Sequence, residues 1–245
     1  MAGHSKWKNI RARKGKQDAI KAKIYTKLIR ELTVAARHGA NPADNPRLRL
    51  AFDKALAQNM PKDTIDRAIS RGCGADNAAS FEEARYEGYG PSGIALLVTC
   101  LTDNRNRTVG EVRHVFTKYG GNLGTDGSVS YLFKLQGILS FPPKSNEDKI
   151  MQIALDVGAL DVITNDDGSI DVTTSPEDFT KVRDAMIKAG LKPDHAEVTM
   201  DAAVKVPITD KSSAEKAMNL IEALEDLDDV QNVYSNADIA DELLE

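Results

Sequence analysis

Apolar residues recur with helical spacing along the first third of the chain. Between Lys16 and Arg37 they fall at Ile20, Ile24, Leu28, Leu32 and Ala35, a period that gathers them on one helix face. At about 100° per residue, Lys23, Lys27, Arg30 and Arg37 project from the opposite side as one basic stripe. Gly39 and Pro42 end this helix. Asn45 reads as an N-cap with Pro46 at the first helical position, opening a second helix through Leu50 and Leu56 towards Asn59. Pro61 opens a third, through Ile65 and Ile69, stopped by Gly72. Three helices on short turns predict a small bundle.

Beyond a weakly patterned linker at 72–84, the period changes and strands alternate with helices. Ile94–Thr102 is an apolar strand, and Thr108-Val109-Gly110-Glu111 is a capping box opening a helix with Val112, Val115 and Tyr119 inward. Gly120-Gly121 closes it, and Ser128–Phe133 is the next strand. A complete βαββαβ pattern follows: strand Gly137–Phe141, helix Glu147–Val157, strands Asp161–Thr164 and Ser169–Thr173, helix Pro176–Ala189, strand Ala196–Met200. Strand Val204–Ile208, helix Ser213–Leu227 and strand Val230–Tyr234 then supply the half that the Ile94–Phe133 segment lacks. The expected fold is α+β and multi-domain: an N-terminal three-helix bundle followed by two ferredoxin-like α/β domains, one inserted in the other. The expected divisions are a flexible basic arm at 1–15, the bundle at 16–72, an outer domain at 84–134 plus 203–245, and the insert at 135–202.

Charge changes this picture from a fold to a division of labour. The net charge of -5 divides into 17 Lys/Arg against 6 Asp/Glu in residues 1–71, net +11, and 15 against 31 in the remainder, net -16. Opposite charge on two parts of one chain points to a polyanion on one side and a different partner, such as a basic protein surface of a polymerase or ribosome, on the other. Lys6, Lys8, Arg11, Arg13, Lys14 and Lys16 can each neutralise a phosphate. Trp7 either stacks on an unpaired base or plugs the arm onto the bundle. Arg105 and Arg107, in the Asp103–Arg107 corner beside a helix start, are either a second anion contact or part of a polar loop held by its own turns.

Catalytic chemistry is not visible. Gly88-Tyr89-Gly90-Pro91-Ser92-Gly93 matches GxGxxG, but it precedes a strand instead of opening a helix, so a turn is expected there. GGNLGTDG at 120–127 reads as turn chemistry too. His4, His38, His114 and His195 have no metal-ligand spacing, and Cys73 and Cys100 make no familiar framework. If Met1 is removed, Ala2-Gly3-His4 offers a square-planar nitrogen set for Cu(II) or Ni(II), read as incidental. The acidic run Glu225–Asp229 reads as a solvated face. No apolar run reaches membrane-spanning length, and the basic N-terminus lacks the apolar stretch of a secretory signal. A cytoplasmic, non-enzymatic protein without a cofactor or structural metal is expected.

Several long blocks, taken in order, resemble the YebC/PmpR family of transcriptional regulators, which includes the mitochondrial translational activator of cytochrome c oxidase. They are AGHSKWKNIRARKGKQDA at 2–19, IYTKLIRELTVAAR at 24–37, NPRLRLAFDKA at 45–55, NMPKDTIDRAI at 59–69, YEGYGPSG at 86–93, LTDNRNRTVGEVRH at 101–114 and GGNLGTDGSVSYLF at 120–133. Ser92 and Tyr119 stand where the family pattern leads one to expect Gly and His. The resemblance implies a three-domain, hook-like cytoplasmic molecule. It implies DNA binding as a transcriptional regulator, or alternatively RNA binding on the ribosome (ribosomal RNA or tRNA) as a translation factor.

Overall fold

The computed structural model describes residues 17–74, 81–165, 167–239 and 243. The chain is α+β, as the patterning predicts. Helix α1 (Gln17–Ala36) packs against α2 (Pro46–Ala57) and α3 (Lys62–Cys73). Their shared core holds Leu32, Ala35, Leu48, Ala51, Met60 and Ile65. Asn45 caps α2 as expected, its side-chain oxygen accepting from the Leu48 N–H at 3.1 Å. The same side chain donates to the carbonyls of Ala35 (2.8 Å) and Gly39 (2.9 Å), so one buried amide also closes the α1–α2 turn. Gly72 does not stop α3. It is buried one residue before the helix end, where a Cβ would stand 2.2 Å from the Thr33 carbonyl oxygen of α1. Its missing side chain sets how closely α1 and α3 approach.

The outer α/β unit is built on a four-stranded antiparallel sheet, β3-β1-β2-β9, of β1 (Glu82–Tyr89), β2 (Ala95–Thr102), β3 (Asn122–Leu123) and β9 (Val230–Ser235). Helices α4 (Arg105–Lys118) and α7 (Lys211–Glu225) cover one face, burying Leu96 and Val98 of β2 with Val112, Phe116, Leu220 and Leu224. β2 is buried on its other face too, where Ala95 and Leu97 meet Phe133 and Ala202. β2 lies between β1, which overlaps the ends of the expected linker and of the glycine turn and is not among the expected strands, and β9, while Val204–Ile208, expected to help complete this domain, does not join the sheet. Residues Val206–Ile208 (β8) instead form a separate parallel ladder with β10 (Ala237–Ile239). β1 escapes the apolar signal because its interior includes Glu87, only 5% exposed. That carboxylate accepts the backbone N–H groups of Gly127 (2.9 Å), Val129 (2.7 Å) and Ser130 (2.8 Å), and so organises the glycine-rich loop.

The GxGxxG match is the hairpin between β1 and β2, so the turn expected there is found. Helix α4 begins at Arg105 with Asn104 as its cap, one turn before the expected capping box. Thr108 lies buried inside the helix. The expected strand Ser128–Phe133 is a short helical turn at Ser130–Leu132, after which β4 runs unbroken over Phe133–Phe141, across position 135. β4 belongs to a second antiparallel sheet, β5-β6-β4-β7, with β5 (Asp161–Thr164), β6 (Ile170–Thr174) and β7 (His195–Ala202). Counted within the βαββαβ pattern this order is 2-3-1-4, the ferredoxin-like arrangement, with α5 (Glu147–Val157) and α6 (Phe179–Lys188) over its core. The β4–β7 pair continues past this core to Phe133 and Ala202, where it joins the outer sheet.

Candidate nucleic-acid interface

Helix α1 uses two faces. Leu28, Leu32 and Ala35 face the bundle. Lys23, Lys27 and Arg30, on successive turns of the opposite side, and Arg37 just past the helix end, reach towards the outer α/β unit. Lys23 pairs with Asp226 (Nζ to Oδ1, 3.0 Å). Lys27 donates to the Glu225 carbonyl (2.9 Å) at the C-terminus of α7, where cations are favoured. Arg30 donates to Asp229 Oδ1 (2.9 Å), to the Asp228 carbonyl and to the Leu101 carbonyl (3.4 Å), with its guanidinium 5.3 Å from the Phe81 ring centre. Arg37 donates to the Phe81 carbonyl (2.8 Å). Arg47 of α2 bridges Glu31 (2.7 Å) and Glu83 of β1, adding a further tie to the outer unit.

Asp229 is the centre of this junction. Its side chain is 3% exposed, and besides Arg30 it receives Arg107 at 2.6 Å and lies 2.7 and 3.0 Å from the hydroxyls of Thr108 and Thr102. Burial pushes the carboxyl up, but the bonds from Arg107, Thr108 and Thr102 outweigh it and hold the group below the ordinary Asp value. The expected solvated acidic face is therefore found at Asp226 and Asp228 but not at Asp229, which is an internal counter-ion. A cleft of about 520 Å³ opens beside it, lined by Arg30, Phe81, Asp103, Arg107, Glu111 and Asp226–Asp229.

The Asp103–Arg107 corner divides. Arg107 is committed to Asp229 and to Asp103 (2.9 Å), and the Asn104 side chain accepts from the Arg107 N–H. Arg105 is more exposed and stands 3.8 Å from Glu82. Lys6, Trp7, Lys8, Arg11, Arg13, Lys14 and Lys16, together with Ala2-Gly3-His4, lie outside the described residues. On the bundle, Lys21, Arg49, Lys54, Lys62, Arg67 and Arg71 are exposed cations that helical periodicity alone did not single out. Glu87 and Arg47 were not singled out either, and Asp229 was read only as part of a solvated acidic run. A run of acids elsewhere in a chain with a basic helix was the one available hint of internal pairing.

Among the described residues, no three His, Cys, Asp or Glu side chains are placed to hold a metal ion. Cys100 is buried and Cys73 exposed. His195 stands 3.1 Å from Glu197, and His38 and His114 are exposed. No helix among the described residues is long and apolar enough to cross a membrane.

Comparison with known proteins covers nearly the whole chain. Residues 5–75 match the family model described as the TACO1/YebC protein N-terminal domain, and residues 81–237 match the TACO1/YebC second and third domain. A protein of Coxiella burnetii named "Probable transcriptional regulatory protein" is 64% identical over 245 residues, covering all of both chains. One of the same name from Hahella chejuensis is 62% identical, covering 100% of this chain and 98% of that one. Among solved structures, a conserved hypothetical protein from Aquifex aeolicus superposes with a TM-score of 0.79 at 45% identity, over 93% of this chain and 94% of the other.

Proposed function

Since the chain belongs to the TACO1/YebC family, we propose that it is a non-enzymatic, nucleic-acid-binding regulator of gene expression that acts on DNA in the cytoplasm. The observation that carries this reading is the excess of 17 Lys/Arg over 6 Asp/Glu in residues 1–71. Part of that excess, at Lys23 and Arg30, is neutralised within the molecule by Asp226 and Asp229. Lys6, Lys8, Arg11, Arg13, Lys14 and Lys16 of the arm, with the exposed cations of the bundle, are then the groups that meet phosphates. Trp7 adds a face for stacking. The remainder of the chain is net -16, a balance that disfavours nucleic acid over most of its surface and suits a basic protein surface. The names of the relatives support transcription as the process regulated.

The test deletes residues 2–16 and compares this protein with the full chain. Binding to duplex DNA and to RNA is followed by fluorescence anisotropy, and folding by thermal unfolding. DNA affinity is expected to fall by at least about ten-fold while the melting temperature is retained, because the deleted segment carries phosphate contacts and no described core residue. Wild-type DNA affinity in the shortened protein would overturn the reading. Tight binding to RNA or ribosomes with none to DNA would move the activity to translation.

A further inference from the structure

The exposed face of α4 carries a glycine that the protein itself does not need. Gly110 lies mid-helix, where glycine is a poor helix former, and a Cβ built there meets nothing within 4 Å. Internal close packing, the reason for Gly72, therefore does not apply. Its backbone has helical values, so a left-handed conformation does not require it either. Around it on the solvent side lie Asn106, Arg113, His114 and Thr117, all exposed. They carry polar groups on adjacent turns of one face, the Thr117 hydroxyl donating to the Arg113 carbonyl at 3.0 Å and so presenting its lone pairs outward. Neither Arg113 nor His114 has a carboxylate partner among the described residues, in a part of the chain that is otherwise strongly acidic.

We propose that this face, centred on Gly110 and flanked by Asn106, Arg113, His114 and Thr117, is a second nucleic-acid contact, on which a phosphodiester backbone lies directly against the helix. Without a side chain at 110, the sugar-phosphate chain approaches the helix surface closely enough for Arg113 and His114 to donate to phosphates and for Asn106 and Thr117 to bracket them. From Asn106 to Thr117 the helix rises about 16 Å, room for roughly three successive phosphates of one strand. The Arg113 guanidinium, with His114 as a further donor, favours an anionic backbone on this face. It does not by itself distinguish DNA from RNA, which share this backbone.

The inference rests on the chain being a nucleic-acid binder and places a contact away from the arm. The experiment uses the full chain and measures affinity, its salt dependence and thermal stability. Gly110→Ala and Gly110→Gln are expected to raise the melting temperature by about 2–4 °C, because the helix gains propensity and nothing is displaced. Both should weaken binding, Gly110→Gln by at least about five-fold, while Arg113→Ala reduces the salt slope by about one. Opposite signs in stability and affinity are the signature, which a purely structural role would not produce. Parallel titrations with duplex DNA and structured RNA show which backbone is held. If Gly110→Gln stabilises the protein and binds at wild-type strength, the α4 contact is overturned. In that event, loss of binding on deleting residues 2–16 would leave the general reading standing, whereas its retention would remove both.

Discussion

Arg30 in the first helix and Asp229 at the start of the last long strand, 199 residues apart, meet at 2.9 Å, and their side chains are only 18% and 3% exposed. This pair, with Arg107 and two threonine hydroxyls on the same carboxylate, joins the bundle, the central strand β2 and the start of α4 at one point.

Removing the carboxylate leaves Arg30 and the hydroxyls of Thr102 and Thr108 without their acceptor. Asp229→Ala is expected to destabilise the protein by about 3 kcal/mol, in the range for breaking a buried charge pair. Arg30→Met should do less, about 1–2 kcal/mol, because Asp229 keeps its other donors. Urea unfolding of each variant measures this. Equal, small losses would show that the junction contributes little.

Internal neutralisation also predicts which cations titrate against salt. If about six phosphates of duplex DNA are neutralised, log K falls against log salt with a slope near roughly -5. Arg30→Met should leave that slope unchanged, because its charge is already paired, whereas replacing Arg11 and Arg13 should reduce it by about two. A slope that drops with Arg30→Met would show that the stripe opens to meet DNA.

Stability should fall in acid through two buried carboxylates. At Glu87 burial pushes the pKa up, but the N–H groups of Val129, Gly127 and Ser130 lower it further, and Asp229 is likewise held low. Both groups have depressed values in the folded state. Their contribution is therefore complete above the ordinary carboxylate range near about 4, and is lost as pH falls through and below it. The urea midpoint should decline steadily below about pH 5, and Glu87→Gln should both lower stability at neutral pH and flatten the acid limb. An unchanged limb in Glu87→Gln would remove this residue as a cause.

Two positions test backbone fit with opposite signs. Gly72→Ala drives a Cβ into the Thr33 carbonyl and Ala36, and should cost at least about 2 kcal/mol as an overpacked helix contact. Ser92, at φ +60, occupies the left-handed region in the β1–β2 turn, and Ser92→Gly should stabilise by up to about 1 kcal/mol. Differential scanning calorimetry of the two variants decides it. Shifts of the same sign would refute the account.

The repeating patterns were legible in the sequence. Helix α5 was bounded correctly at Glu147–Val157, Asn45 and Pro46 marked the start of α2, and the βαββαβ order of the insert followed from alternating periods. Each is a local signal, carried by neighbouring residues and the caps beside them. The start of α4 was misplaced because Asn104 and Thr108 are both good caps, and Thr108 turned its hydroxyl to Asp229 instead. β1 was missed because Glu87 reads as an exposed residue until the 124–130 loop folds onto its carboxylate.

Periodicity correctly separated the apolar and basic faces of α1, but it could not say what would cover the second. A helical period records which residues share a face. Whether that face meets solvent, phosphate or a carboxylate depends on a partner that chain topology brings from far away. The sequence by itself determined the elements, the charge division and the family resemblance. Only the tertiary structure decided that Lys23, Lys27 and Arg30 hold the bundle to the rest of the molecule, because Asp226 and Asp229 reach them only after the last helix and strand have packed.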